Sequence, residues 1–307
     1  MTAGASRDGA SEFDLAVVGL GCIGGSIAAR ARRLGVRVAG YDRAPALEEA
    51  LRLGLVDEPL ESFEAAAGCG LVVLATPVEV TVQYLERLAS LPPRALAVMD
   101  VASVKEPVAR AGAAIAAFVP THPLAGSERS GPHAASARLF EDRRWAIVPQ
   151  GSADARARVR ALVTAMGATP LDVEATLHDR TVALTSHLPQ LLAVALGAEI
   201  ARSLDDPIVA DLAGPGLASM VRLGASSWEM WRDVLAANRA HLAGDVRDLA
   251  RALDAYARAL DRGDVASLET SFAAAGETVR RLAPATNPDL DASVAPVAPA
   301  APAPALP

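Results

Sequence analysis

From Asp14 to about Gln150 the chain alternates short apolar runs with segments whose apolar positions recur every three or four residues. The runs "LAVVGLG" (15–21), "VRVAGYD" (36–42), "LVVLATP" (71–77), "ALAVMDV" (95–101), "AAFVPTH" (116–122) and "RRWAIVPQ" (143–150) read as strands. Most are apolar at nearly every position, as expected of strands covered on both faces. Segments such as "GGSIAARARRLG" and "VEVTVQYLERLASL" lie between them at helical length and spacing. Strand and helix in alternation predict a largely parallel, doubly wound sheet. After about residue 152 the texture changes. One more short strand, "ATPLDV" (168–173), precedes four helical patterns at 176–203, 207–222, 228–243 and 245–283. The expected organisation is a loose segment 1–13, an α/β domain 14–174, an all-helical substrate and dimerisation domain 175–284, and a disordered Ala/Pro-rich tail 285–307. Dimerisation is expected because apolar helices such as 186–201 offer more surface than a small bundle covers.

Composition narrows the function classes. The 307 residues are 51% hydrophobic and carry 29 Lys+Arg against 36 Asp+Glu, a net charge of −7, with no basic run. Nucleic acid is therefore an unexpected partner. The two cysteines, Cys22 and Cys69, lack metal-ligand spacing and fit a reducing compartment. No signal peptide opens the sequence, and the most apolar stretch, "VALTSHLPQLLAVALGAEIA", is interrupted by His, Pro, Gln and Glu. A soluble cytoplasmic protein without a membrane partner is expected.

"VVGLGCIGGS" places Gly19, Gly21 and Gly24 in G-x-G-x-x-G directly after a strand and opening a helix, with Leu20, Cys22 and Ile23 between them. The second strand ends in Asp42, 18 residues past Gly24, where a dinucleotide site wants a carboxylate for the adenosine ribose. In this arrangement the first glycine permits a tight turn, the second lets the backbone approach the pyrophosphate, and the third lets helix and strand pack closely. The helix N-terminus offers free N–H groups to the phosphates. A Rossmann-type domain binding NAD follows. Asp42 would repel the 2′-phosphate of NADP, although neighbouring Arg43 softens that preference and leaves NADP open.

In an open parallel sheet, ligands lie beyond the carboxyl ends of the strands. Thr76, Ser103 and His122 fall at such ends. Ser103 also begins "SVKE", a capping box with Glu106, so it is a candidate helix cap as well as a catalytic hydroxyl. His122 is held extended by Pro123 and followed by the glycine-rich "LAGSERSG", which suits a reactive imidazole beside a nicotinamide.

"VVGLGCIGGSIA", "LVVLATPV", "DVASVKEPV", "THPLAGSERSG…LF", "HDRTVALTSHLP" and "MVRLGASSWEMWRD", in that order, resemble the prephenate and arogenate dehydrogenases of tyrosine biosynthesis over about residues 14–245. The resemblance implies hydride transfer from the ring C4 of a cyclohexadienol to NAD(P)⁺ with loss of the ring carboxylate as CO₂. It makes His122 the general base, with Ser103 hydrogen-bonded to His122, the hydroxyl or the nicotinamide ribose. Arg222 would hold a substrate carboxylate, Glu128 would gate the pocket, and Ser127, His187, Gln190 and Trp231 would line the substrate site. Many prephenate-specific relatives have a histidine where this chain has Gln190, which leaves the substrate side chain and tyrosine feedback inhibition open.

His187 and Gln190 share a helix face, whereas His178, nine positions before His187, is rotated by about 900° and expected on the opposite side. That spacing argues against a two-histidine metal site, and no metal is expected. Three other readings stay open. An amine-bearing analogue, 4-amino-4-deoxyprephenate, would suit the same chemistry. A β-hydroxyacid dehydrogenase or imine reductase usually relies on a donor such as lysine in its helical domain, and 150–283 contains no lysine. A non-catalytic NAD sensor would have no need of Ser103, His122 and Arg222 together.

Overall fold

The computed structural model describes residues 14–126 and 130–286. Its first half runs Leu15–Val18 (β1), Cys22–Arg33 (α1), Val38–Tyr41 (β2), Ala44–Arg52 (α2), Glu58–Pro59 (β3), Phe63–Ala66 (α3), Leu71–Leu74 (β4), Val78–Ala89 (α4), Ala97–Asp100 (β5), Glu106–Ala111 (α5) and Phe118–Val119 (β6). The strands form one parallel sheet in the order β3-β2-β1-β4-β5-β6. Alternate residues of β1 enter opposite layers: Leu15 and Val17 pack with Ile27 and Met99, while Ala16 and Val18 pack with Phe63, Leu74 and Leu85. Both faces are covered, which is why the strands are apolar throughout. The order reverses between β1 and β4, and a ligand crevice opens at such a switch point.

The expected strand 116–122 is in fact two. Proline has no N–H to donate, and at Pro120 the chain leaves the parallel sheet. Thr121–Pro123 (β7) instead pairs antiparallel with Arg144–Ile147 (β8), which is followed by Ala153–Ala165 (α6) and Thr169–Asp172 (β9), parallel to β8. His122 therefore sits opposite Ala146 in a separate three-stranded sheet.

The rest is helical. Ala175–Val182 (α7), a π-helical turn Ala183–His187 and Leu188–Ala201 (α8) form one continuous run, 27 residues long and apolar enough to span a membrane by length and composition alone. The run also carries the buried polar residues His178, Asp179, His187 and Gln190. Pro207–Asp211 (α9), Pro215–Val221 (α10), a 3₁₀ turn Arg222–Ala225, Trp228–Ala237 (α11) and Arg239–Asp261 (α12) follow. The single pattern expected over 207–222 is broken at Gly214-Pro215, and that over 228–243 at Asn238. The long pattern 245–283 is also two helices: α12 ends at Asp261, and Asp264 accepts the Ser267 N–H at 3.3 Å to start a 3₁₀ turn before Glu269–Thr286 (α13).

Contacts divide the chain into two compact units, one up to Asp245 and one from Val246. The second unit has an apolar groove of about 320 Å³ lined by Tyr256, Leu260, Leu268, Phe272 and Ala275. Everything that follows lies in the first unit.

Candidate active site

Two features meet the requirements of a site. The first is the turn between β1 and α1. Gly19 has φ +94°, and a Cβ there would lie 2.3 Å from the Ala75 carbonyl oxygen; one on Gly24 would lie 1.8 Å from the Gly19 oxygen. Only glycine fits either position. A Cβ on Gly21 would meet nothing within 4 Å, so the space above it is open for a ligand. Gly21 caps α1 without a side-chain bond, leaving the N–H groups of the first turn, at Cys22, Ile23 and Gly24, to meet an anion. Asp42, at the end of β2, accepts the Leu20 N–H at 2.6 Å on Oδ2 and the Arg43 N–H at 2.7 Å on Oδ1. One carboxylate thus holds the glycine turn in shape beside the place where a ribose diol would bind. The exposed Arg43 side chain projects from the cap of α2. Thr76 closes the turn from β4, its methyl carbon 3.0 Å from the position of a Cβ on Gly19. Cys22 is buried with its thiol on the Ala134 carbonyl, and burial pushes its pKa up, so it is structural. The cradle fits a pyrophosphate and an unphosphorylated ribose.

The second feature is a cavity of about 540 Å³ walled by Ser103, His122, His178, His187 and Trp231, with Thr181, Thr185 and Ser186. No lysine or arginine is among its described lining residues. Ser103 is not the expected helix cap. α5 begins at Glu106, and its first N–H groups are satisfied from another helix: Asp179 of α7 accepts Lys105 N–H at 2.6 Å on Oδ1 and Glu106 N–H at 2.7 Å on Oδ2. Ser103 lines the cavity instead.

His122 is half-buried, and its Nδ1 lies 2.9 Å from His178 Nε2. His178 Nδ1 lies 2.7 Å from Asp179 Oδ1. Burial of the ring, reinforced by His178, Lys105 and His187, pushes the His122 imidazole well below its ordinary pKa. Beneath it, fully buried Lys105 donates through Nζ to Asp100 and, at 2.5 Å, to the Thr121 carbonyl oxygen. The Thr121 N–H returns to Asp100 at 2.9 Å, and Trp145 Nε1–H donates to the Thr121 hydroxyl at 3.0 Å. A buried ion pair with every partner satisfied does more to fix geometry than to stabilise. Here it fixes the residue before His122.

The expected separation of His178 and His187 fails: both line the cavity. The π turn inserts one residue between them, so nine positions turn like eight, about 800°, which brings the two rings within a quarter turn of one face. Desolvation lowers the pKa of His187 to about 4, against the opposing pull of Asp179. Its ring meets Trp231 edge-on at 5.7 Å between centroids. The Trp231 indole nitrogen is buried without a hydrogen-bond partner among the described residues. Such an orphan donor needs an explanation, and an acceptor oxygen on a bound ligand supplies one.

Gln190 and Arg222 are not among the lining residues. Gln190, buried, donates to the Leu223 carbonyl at 2.8 Å, tying α8 to the 3₁₀ turn that Arg222 begins; the Arg222 side chain is exposed. Ser127 and Glu128 lie outside the described residues, as do the termini 1–13 and 287–307. Sequence reasoning missed His178, Asp179 and Asn238 as parts of this site. The adjacent pair "HD" was visible, but its partners are more than fifty residues away.

Comparison with known proteins identifies the family. Residues 27–170 match the profile of the prephenate dehydrogenase nucleotide-binding domain, and 174–274 that of the prephenate dehydrogenase dimerization domain. A prephenate dehydrogenase of Bacillus subtilis is 31% identical over 268 residues, 83% of this chain and 72% of that protein. The chain belongs to the prephenate dehydrogenase family. A probable prephenate dehydrogenase, NovF, of Streptomyces niveus is 36% identical over 249 residues, and the match spans 77% of this chain but 66% of that protein. The crystal structure of prephenate dehydrogenase from A. aeolicus in complex with hydroxyphenyl propionate and NAD⁺ superposes with a TM-score of 0.76 at 25% identity, covering 89% of this chain and 98% of the other. The α/β half is thus a nucleotide-binding domain, and the helical part that follows is of a dimerising type.

Proposed function

We propose that the protein catalyses the NAD-dependent oxidative decarboxylation of prephenate or arogenate, forming 4-hydroxyphenylpyruvate or tyrosine, with His122 as general base. The observation that carries the reading is the His122 ring, wired through Nδ1 to buried His178 and held at the wall of a cavity beyond the sheet. Bound NAD⁺ supplies the hydride acceptor. The glycine turn and Asp42 hold that cofactor, and Asp42 favours NAD over NADP by repelling a 2′-phosphate. As hydride leaves C4 of the substrate, the ring hydroxyl must release its proton. A neutral imidazole accepts it, and the lowered pKa keeps His122 neutral at working pH. Cleavage of the carboxylate bond then sends its electron pair into the ring, CO₂ departs, and the oxygen regains its proton as a phenol. Aromatisation drives the step, so no separate acid is needed.

Ser103 orients the hydroxyl or His122. The Trp231 N–H serves an acceptor oxygen of the substrate. By the family resemblance, Arg222 binds a substrate carboxylate and Ser127 and Glu128 contribute to substrate binding. The α/β part of the chain, 14–174, carries the cofactor, and the helical part, 175–284, carries substrate walls and a homodimer contact. Arogenate stands as a second reading on one observation: Gln190 is neutral and committed to Leu223, so it brings no cation toward a keto-acid side chain. Tyrosine, which shares that side chain, is the candidate feedback inhibitor.

Formation of NADH, read at its near-ultraviolet absorbance with prephenate and arogenate against NAD⁺ and NADP⁺ in parallel, tests the reading. Turnover of at least one substrate with NAD⁺ preferred is expected, and Asp42→Ala should narrow the cofactor preference. Absence of turnover with every combination would refute it.

A further inference from the structure

The histidines of the cavity differ in what their buried partners demand of them. A backbone N–H only donates and a backbone carbonyl only accepts, so hydrogens are traceable wherever a chain of bonds ends on one. Asp179 Oδ1 and Oδ2 receive the N–H groups of Lys105 and Glu106, so both oxygens act as acceptors. His178 Nδ1, 2.7 Å from Oδ1, must then carry a hydrogen. A neutral His178 has a bare Nε2, and His122 Nδ1, 2.9 Å away, must donate to it. A neutral His122 is left with a bare Nε2.

A second chain starts on the same residue. The Asp179 carbonyl accepts from Asn238 Nδ2 at 2.8 Å, which fixes the orientation of that amide. The same Nδ2 lies 3.1 Å from His187 Nδ1, so that nitrogen accepts and carries no hydrogen. A neutral His187 therefore has its hydrogen on Nε2. Asn238 and His187 of this second chain, and His178 of the first, are buried, with His187 at 1% and His178 at 3% exposure, so water does not compete for these bonds.

We infer that Asp179 sets opposite tautomers on the two cavity histidines, leaving His122 with a proton-accepting Nε2 and His187 with a proton-donating one. Asp179, His178 and Asn238 are positioning residues; His122 and His187 face the ligand. The assignment gives each wall a task. His122 receives the hydroxyl proton on Nε2, and His178, backed by the Asp179 carboxylate, holds the His122 ring in place through its Nδ1–H. His187 presents a neutral donor to an oxygen of the substrate, beside the unpartnered Trp231 N–H. Two uncharged donors on one side and one base on the other recognise an oxyacid lying across the cavity in a single orientation. The titratable groups acting on His122 are His178 on α7, itself bonded to Asp179, Lys105 before α5, itself paired with Asp100, and His187 on the π turn.

The inference rests on the proposed function for its catalytic meaning, and its first test does not depend on turnover. ¹⁵N spectra of the imidazoles in the NAD-bound protein distinguish bare from protonated ring nitrogens, and the five histidines are assigned by single substitution. Expected are a bare Nε2 on His122 and a bare Nδ1 on His187; a protonated Nε2 on neutral His122, or a protonated Nδ1 on neutral His187, would overturn the assignment. An inert protein with the expected spectrum would count against the function and leave the tautomers standing.

Kinetics supply the second test. Asp179→Asn should lower kcat by up to ~10⁴-fold, the size of the wrong-tautomer effect elsewhere, with the NAD⁺ dissociation constant unchanged. His178→Gln keeps an acceptor for His122 Nδ1–H and should retain at least tenfold more kcat than His178→Leu, a difference that a space-filling role would not produce. Equal kcat in the Gln and Leu variants, with the acid limb of the pH profile in place for both, would overturn the relay even if Asp179→Asn fails to fold.

Discussion

The surroundings of His122 suit the role of base proposed for it. The ring is buried on its inner edge, and three neighbours oppose its protonation. The kcat of the wild type should accordingly rise with pH through an ionisation below the ordinary histidine range of about 6.5, then stay level through neutrality. His122→Asn should abolish that limb and reduce kcat by ~10²–10⁴-fold, while NAD⁺ affinity, set by the glycine turn and Asp42, is retained. An unchanged limb in the variant would assign the ionisation to another group. At this scale the sequence was informative wherever a residue's task is local. Gly19, Gly24 and Asp42 announce themselves by spacing along a strand, a turn and a helix. His178, Asp179 and Asn238 do not, because each acquires its task from a partner brought near only by folding. Ser103 misled for the same reason: its capping box is well formed in sequence, but a carboxylate from α7 takes the cap.

Among the elements, the π turn at 183–187 decides which side chains look into the cavity. Regular helical rotation places His178 and His187 on opposite sides, and the one extra residue cancels that separation. Periodicity cannot reveal such an insertion, since the apolar pattern around it is nearly continuous. The same is true of the strand lost at Pro120, where alternation looks unbroken while the hydrogen-bond ladder changes sheets. Deleting Leu184, an exposed residue of the turn, should regularise the helix and keep both imidazoles on one face. Inserting one alanine beside Leu184 should turn His187 away by about 100°. The insertion variant should therefore lose far more kcat than the deletion variant, at similar helix content by circular dichroism. Equal losses would mean that the turn does not set the register of the cavity wall.

Taken as a whole, the molecule holds the His122 and His187 imidazoles in neutral form, and this makes its stability depend on pH. His187 titrates near 4 when folded and near 6.5 when unfolded. Between those values the unfolded chain binds more protons, so stability is full above about 6.5 and declines as pH falls toward 4. The shift corresponds to about 3 kcal/mol at the acid end, with His122 acting in the same direction. Urea midpoints should fall steeply between pH 6.5 and 4, and His187→Gln should flatten part of that decline; parallel slopes in both proteins would place the pH dependence elsewhere. The fold class was legible at this scale because continuous apolar strands and amphipathic helices are properties of whole segments. The division of the chain near residue 245 was not, since α12 runs through it without a break in pattern.

The carboxylate of Asp179 caps the start of α5 and orders the cavity at once. Neither task can be adjusted by changing that residue without disturbing the other, so a lineage or an engineer altering the preferred substrate has little freedom there. Thr181, Thr185 and Ser186, which also line the cavity wall, cap no second helix, and Thr181 and Thr185 are exposed, their hydroxyls donating only to carbonyls of their own helix. New specificities should therefore accumulate along that wall, while the core beneath it admits few neighbours in sequence space.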